Sequence, residues 1–121
     1  MIPPELAGAI ERHPLAYLIT VGGDARAHVA PVTPAVDGGR LRVTGVGRRS
    51  RGMLAANPAL TLLWPPPDAL GHSLIVDGTG ELLGDDLTVT PVRAVLHRPA
   101  VEPSADTQGC QADCIELLAA R

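Results

Sequence analysis

Val43-Thr44-Gly45-Val46-Gly47-Arg48-Arg49-Ser50-Arg51-Gly52, followed by Met53-Leu54-Ala55-Ala56-Asn57-Pro58, carries a strand through a glycine turn into a short helix. Three arginines stand where that helix begins. Free backbone N–H groups at a helix N-terminus favour an anion, and guanidinium groups add fixed charge and forked hydrogen bonds to phosphate oxygens. The same residues also fit a solvated basic turn, because charge runs usually face water.

Outward from this stretch, apolar or alternating runs are separated by Gly/Asp turns: Leu15 to Val21, Arg26 to Val36, Arg40 to Thr44, Leu60 to Trp64 and His72 to Leu83. Short runs at this spacing predict strands of an antiparallel barrel or sandwich. Pro31 and Pro34 cannot donate to a ladder, so they push the later part of the second run to an edge or a bulge. Gly78 and Gly80 mark a bend or a close backbone approach in the fifth. Leu87 to Arg98 reads two ways: Thr90-Pro91 suits a helix start, whereas the turn at Gly84-Asp85-Asp86 favours a hairpin strand, the preferred reading. At the N-terminus, Pro3 and Pro4, Glu5 and the apolar pair Leu6/Ile10 predict a short helix from Pro4 to His13, with His13 at the surface. Beyond Pro99 a surface connection to Gly109 is expected, then a short terminal helix over Gln111 to Ala120.

The 121 residues fit one domain, which at this size buries roughly two thirds of its unfolded surface. Its core must be aliphatic, since the chain has no Phe, one Tyr (Tyr17) and one Trp (Trp64). A core with so few large anchors gains from association with a second copy. All ten basic residues are arginine, which rules out Schiff-base chemistry through a protein lysine and a P-loop that depends on its lysine. The net charge of −3 and the scarcity of stacking aromatics argue against a nucleic-acid partner. No signal-peptide layout opens the chain and no apolar run approaches the roughly 20 residues of a membrane span, so a soluble cytoplasmic protein is expected. Cys110 and Cys114 would share a face of the terminal helix; without clustered His or Cys to complete a ligand set, no metal is expected there.

The order and spacing of these segments from Leu15 to Pro99 resemble those of the pyridoxamine phosphate oxidase-like split-barrel family of flavin-binding proteins. Arg26-Ala27-His28-Val29-Ala30-Pro31-Val32 resembles the family's second strand, and Asn57-Pro58-Ala59-Leu60-Thr61-Leu62-Leu63-Trp64 and Val76-Asp77-Gly78-Thr79-Gly80-Glu81-Leu82 follow in the family's sequence. The resemblance implies a mainly β, six-stranded antiparallel split barrel of Greek-key type with short flanking helices. It also implies a homodimer with FMN in a cleft at the subunit interface.

Carried over residue by residue, the resemblance places Thr44 at the end of the third strand, where a hydroxyl contacts the cofactor. It lays Arg48-Arg49-Ser50-Arg51 over the Ser-Arg-Lys phosphate-binding turn. There Arg48 replaces the serine, Arg49 matches the arginine, Ser50 stands at the lysine, and Arg51 is one position beyond it. His28 occupies a position near the flavin phosphate or ring, and equally fits a half-buried structural histidine. His72 begins the fifth strand where larger members carry a flavin-contacting glutamine, and Trp64 could cover the ring, line a dimer interface or simply pack in the core. Arg98, in His97-Arg98-Pro99, is a candidate for pairing with an acid across the dimer. The chain lacks the C-terminal substrate-phosphate segment of the full oxidases.

No nucleophile motif and no pair of catalytic carboxylates stands out, which fits a protein whose cofactor performs the electron or hydride transfer. The expected function is FMN-dependent oxidation or reduction of a small molecule. A deazaflavin-dependent reductase and a non-catalytic flavin- or haem-binding protein are the alternatives.

Overall fold

The computed structural model describes residues 2–99 and 112–119. Helix α1 (Pro4–Arg12) precedes β1 (Ala16–Val21), β2 (Ala27–Val32), β3 (Ala35–Asp37) and β4 (Arg40–Val43). Helix α2 (Arg48–Ala56) then leads to β5 (Ala59–Trp64), β6 (Ser73–Leu83), β7 (Asp86–Pro99) and β8 (Ala112–Leu118). The strands form one antiparallel sheet in the order β2-β1-β5-β6-β7-β4-β3, with β8 also on β7.

The split arises in the long β6–β7 hairpin. Its register slips between Asp77 and Gly78, so that Asp77 faces Arg93 while Gly78 faces Pro91, leaving Val92 as the extra residue of a bulge. A proline without an N–H is tolerated there because a bulge leaves one residue unpaired. On one side of the bulge β7 pairs with β4, from Leu87 to Val89; on the other it pairs with β8, from Ala94 to Pro99. One strand thus serves two halves of an open barrel.

Burial alternates as a two-residue period requires: Ala16, Leu18 and Thr20 in β1, Leu60, Leu62 and Trp64 in β5, and Leu74, Val76 and Gly78 in β6 turn inward. Leu41, Val43, Leu87 and Val89 fill the other half, and α1 adds Leu6, Ala9 and Ile10. The core is aliphatic around one indole, as the composition dictates.

The split-barrel expectation holds, with eight strands where six were expected, and two differences account for the number. The run from Arg26 to Val36 breaks at Thr33-Pro34 into β2 and β3, because Pro34 removes a donor and holds Thr33 extended. The terminal helix expected over Gln111 to Ala120 is instead strand β8 over 112–118. Short apolar runs do not distinguish helix from strand, and here pairing with the far half of β7 supplies ladder bonds plus the Arg98–Asp113 ion pair at 2.7 Å. Cys110 and the expected connection to Gly109 lie outside the described residues.

Two glycines give opposite expectations. A Cβ at Gly78 would stand 2.7 Å from the Thr90 carbonyl oxygen, so Gly78→Ala should destabilise by about 1–3 kcal/mol as an overpacked site. Gly52 lies inside α2 with open space around it, so Gly52→Ala should stabilise by about 1 kcal/mol through helix propensity. Urea denaturation of both variants measures the two signs.

Candidate functional site: the arginine turn at the start of α2

The turn between β4 and α2 is fixed at one residue. Val46 is 3% exposed; its N–H donates to the Asp85 carbonyl at 2.9 Å, and its carbonyl accepts from Nη1 of Arg51. Gly45 adopts φ +69°, a conformation that favours glycine. Gly47 is extended at the N-cap and offers no side-chain cap, and the first turn of α2 holds no acid. The helix therefore starts with N–H groups that no side chain among the described residues caps, carried on a rigid loop.

Ser50 and Leu54, one turn apart, are the buried stripe of α2, which packs against β1, β2 and β6. That stripe leaves Arg48 and Arg49 exposed. Among the described residues neither forms an ion pair, whereas Arg42 holds Asp86 at 3.0 Å and so neutralises a carboxylate close to the turn. Backbone donors at a helix start beside two guanidiniums not engaged with acids are the kind of donor set an anion accepts from. Thr44, exposed directly before the turn, adds a hydroxyl.

His28 is half-buried on the core side of β2, opposite Thr20, whose hydroxyl donates to Sδ of Met53 at 3.3 Å. Met53 is one turn beyond Arg49 on the same helix face, so His28 and Arg49 belong to the same flank of α2. Thr44, Arg48 and Arg49 follow one another at the turn, and α2 packs against the strand that carries His28. The structure gives Arg51 a different duty, clamping the turn, and it buries Ser50 at 1% exposure.

Trp64 and His72 lie elsewhere. Trp64 is 2% exposed, packed in the core. His72 precedes β6 at the end remote from Gly80, which sits beneath Leu54 of α2, so roughly 26 Å of strand separates it from the part of β6 that seats α2. There its carbonyl oxygen lies 2.9 Å from Nε2 of His13, and its own Nε2 lies 3.5 Å from a carboxylate oxygen of Asp113.

Two expectations are corrected at that end. His13 is buried, not a surface residue: its Nδ1 is 2.6 Å from the Ala9 carbonyl oxygen, so the ring folds back over the C-terminus of its own helix. Arg98 reaches an acid of its own chain, Asp113, and also donates to the Leu70 carbonyl, tying β8 to the proline-rich loop. Sequence position alone held a signal for His13, between Arg12 and the helix-stopping Pro14; nothing marked Asp113. Among the described residues no three His, Cys, Asp or Glu side chains are placed to hold a metal ion, and no helix is long and apolar enough to cross a membrane.

No protein-family model matches the chain. Uncharacterized proteins of Mycobacterium bovis and Mycobacterium tuberculosis are each 42% identical to it over 127 residues, covering 91% of this chain and 89% of theirs. Among solved structures, an F420 reductase superposes with a TM-score of 0.60 at 23% identity, covering 75% of this chain and 97% of that one. A pyridoxamine 5′-phosphate oxidase-like protein of Listeria innocua gives 0.63 at 15% identity, with 76% and 94% covered. HupZ of Group A Streptococcus gives 0.64 at 15%, with 93% and 100% covered. At these identities the structural likeness is one of fold. The chain belongs to the same family as the two mycobacterial proteins, and its fold is the split-barrel fold of these solved structures.

Proposed function

We propose that this chain binds FMN with its phosphate at the start of α2 and works, as a homodimer, as a flavin-dependent oxidoreductase on a small molecule. The observation that carries this reading is the uncapped helix N-terminus beside Arg48 and Arg49, on a turn locked by Val46. The donor set fits a phosphate: backbone N–H groups along the helix axis and forked guanidiniums from the side. Bound there, FMN supplies electron or hydride transfer. The chain's own residues hold and orient it: Arg49 and Arg48 meet the phosphate, Thr44 offers a hydroxyl, and His28 lies on the same flank of α2.

A second reading, a deazaflavin cofactor, is favoured by the superposition on an F420 reductase. That cofactor also carries a phosphate, so the same turn serves both. The absorption spectrum and released-ligand mass of protein purified without added cofactor decide between them. A flavin doublet with the mass of FMN supports the first reading, a deazaflavin mass supports the second, and a haem Soret band overturns both.

Arg49→Ala should weaken FMN binding by roughly tenfold to a hundredfold, the equivalent of a charge-assisted hydrogen bond of about 1.5–3 kcal/mol, and leave riboflavin binding unchanged. Isothermal titration with both ligands measures this, with Arg12→Ala as the control. Equal losses for the two ligands would show a folding defect, and no loss would return the turn to a solvated surface.

The dimer is supported by the outer face of the sheet. Pro31, Tyr17, Leu63 and Ile75 form one cross-strand row from β2 to β6, composed wholly of apolar or aromatic side chains, and the next member on β7, Val95, is already buried within the protomer. Beside this row Val29 is 55% and Val21 37% exposed. Covering such a face with an identical copy removes apolar surface from water twice over. Sedimentation velocity at micromolar concentration should give a dimer; a monomer with and without flavin would overturn this part of the reading.

A further inference from the structure

The row next to that apolar row is of another kind. Val29, Ile19, Thr61, Asp77 and Arg93 are successive cross-strand neighbours from β2 to β7, so an apolar start ends in a hydroxyl, a carboxylate and a guanidinium. These three lie at the β6–β7 bulge, and Thr61 and Asp77 line a groove of about 360 Å³ with Ile19, Val21 and Val92. The cluster is half-finished. Thr61 donates to Oδ1 of Asp77 at 2.7 Å and fixes the carboxylate, but Arg93 approaches Oδ2 only to 3.6 Å, with both charged side chains about two-fifths exposed. Optimised pairs of this kind close to about 2.7–2.9 Å, and a guanidinium has five N–H donors to place.

We infer that Asp77 and Arg93 are completed by a second copy of this chain: about a two-fold axis, Asp77 of each protomer meets Arg93 of the other, and the four charges set the register of the dimer. The inference rests on the dimer proposed above. An isologous interface makes any surface pair that contains both signs complementary to itself, so a carboxylate and a guanidinium on neighbouring strands can exchange partners across the axis. An apolar face alone allows many sliding registers. Charges within it allow few, because a misplaced copy would desolvate Asp77 and Arg93 with only their own loose 3.6 Å pairing to offset the cost, whereas the correct one adds a hydrogen-bonded ion to each. Thr61 contributes by holding the carboxylate in one orientation before association, which makes it a positioning residue.

Charge reversal tests this. Asp77→Arg and Arg93→Asp should each raise the dimer dissociation constant at least tenfold, because each homodimer would bring four like charges together. An equimolar mixture of the two variants should form a heterodimer in preference to either homodimer, since the all-basic cluster of the first variant then faces the all-acidic cluster of the second. Native mass spectrometry reads the species directly, and far-UV circular dichroism verifies that each variant is folded. Where a reversal unfolds the chain, the milder Asp77→Asn and Arg93→Gln should still weaken the dimer, and its dissociation constant should lose much of its dependence on sodium chloride. A dimeric wild type whose variants all dimerise as tightly overturns the charge-exchange inference and leaves the dimer standing. A monomeric wild type overturns both.

Discussion

The slip between Asp77 and Gly78 is the constraint on which the remainder of the fold depends. Because Gly78 carries no Cβ, the Thr90 carbonyl can approach within 2.7 Å of where one would stand, and Pro91 can occupy the ladder without an N–H to satisfy. The bulge turns one long hairpin into two half-sheets. One half takes β4 and β3, the other takes β5, β1, β2 and β8. Gly80, beyond the bulge, leaves room for Leu60 and Leu87, and Leu54 of α2 packs over it. The helix that begins with the arginines is therefore seated by a small residue in the strand that the bulge re-aims.

Arginine does several separate jobs in this lysine-free chain. Arg51 acts as a hydrogen-bond donor to a main-chain carbonyl; Arg98 spans Asp113 and the Leu70 carbonyl at once, a task that suits a fork and not a point charge. Arg42 and Arg93 meet carboxylates on neighbouring strands. Against that background Arg48 and Arg49 differ, because they are exposed at a helix end whose own dipole opposes cations. Positive charge there is unfavourable to the helix by itself. An anion that binds both would remove the conflict, which is the physical reason for reading the turn as a site.

The sequence disclosed those parts of the fold whose signals are local. The turn at Gly45 and Gly47, the start of α2 at Arg48, the period-two burial of β1 and β5, and the hairpin turn at Gly84 all follow from residue type and spacing. Strand β8 was not legible, because Asp113 to Leu118 carries no alternation of its own and is made a strand by β7. The burial of His13 likewise depends on the His72 carbonyl, distant in sequence. For the site, residue types indicated an anion but not the division of labour: only the fold shows that Arg51 is spent on Val46, that Ser50 faces inward and that Trp64 is core.

The separation of His72 from the arginine turn bears on how a site could be built from this chain. The two ends of β6 face different surroundings, α2 at one and the His13–Asp113–Arg98 cluster at the other, and the strand between them is too stiff and too well paired to bring them together. A ligand that touched both within one protomer would have to span the strand. Across a two-fold interface formed by the outer sheet face, residues distant along one strand become neighbours of the partner's other end without any change in the fold. The apolar row from Pro31 to Ile75 and the charged end of the row beside it lie on that face, so the surface that would create such a shared cleft is the one the proposed dimer uses.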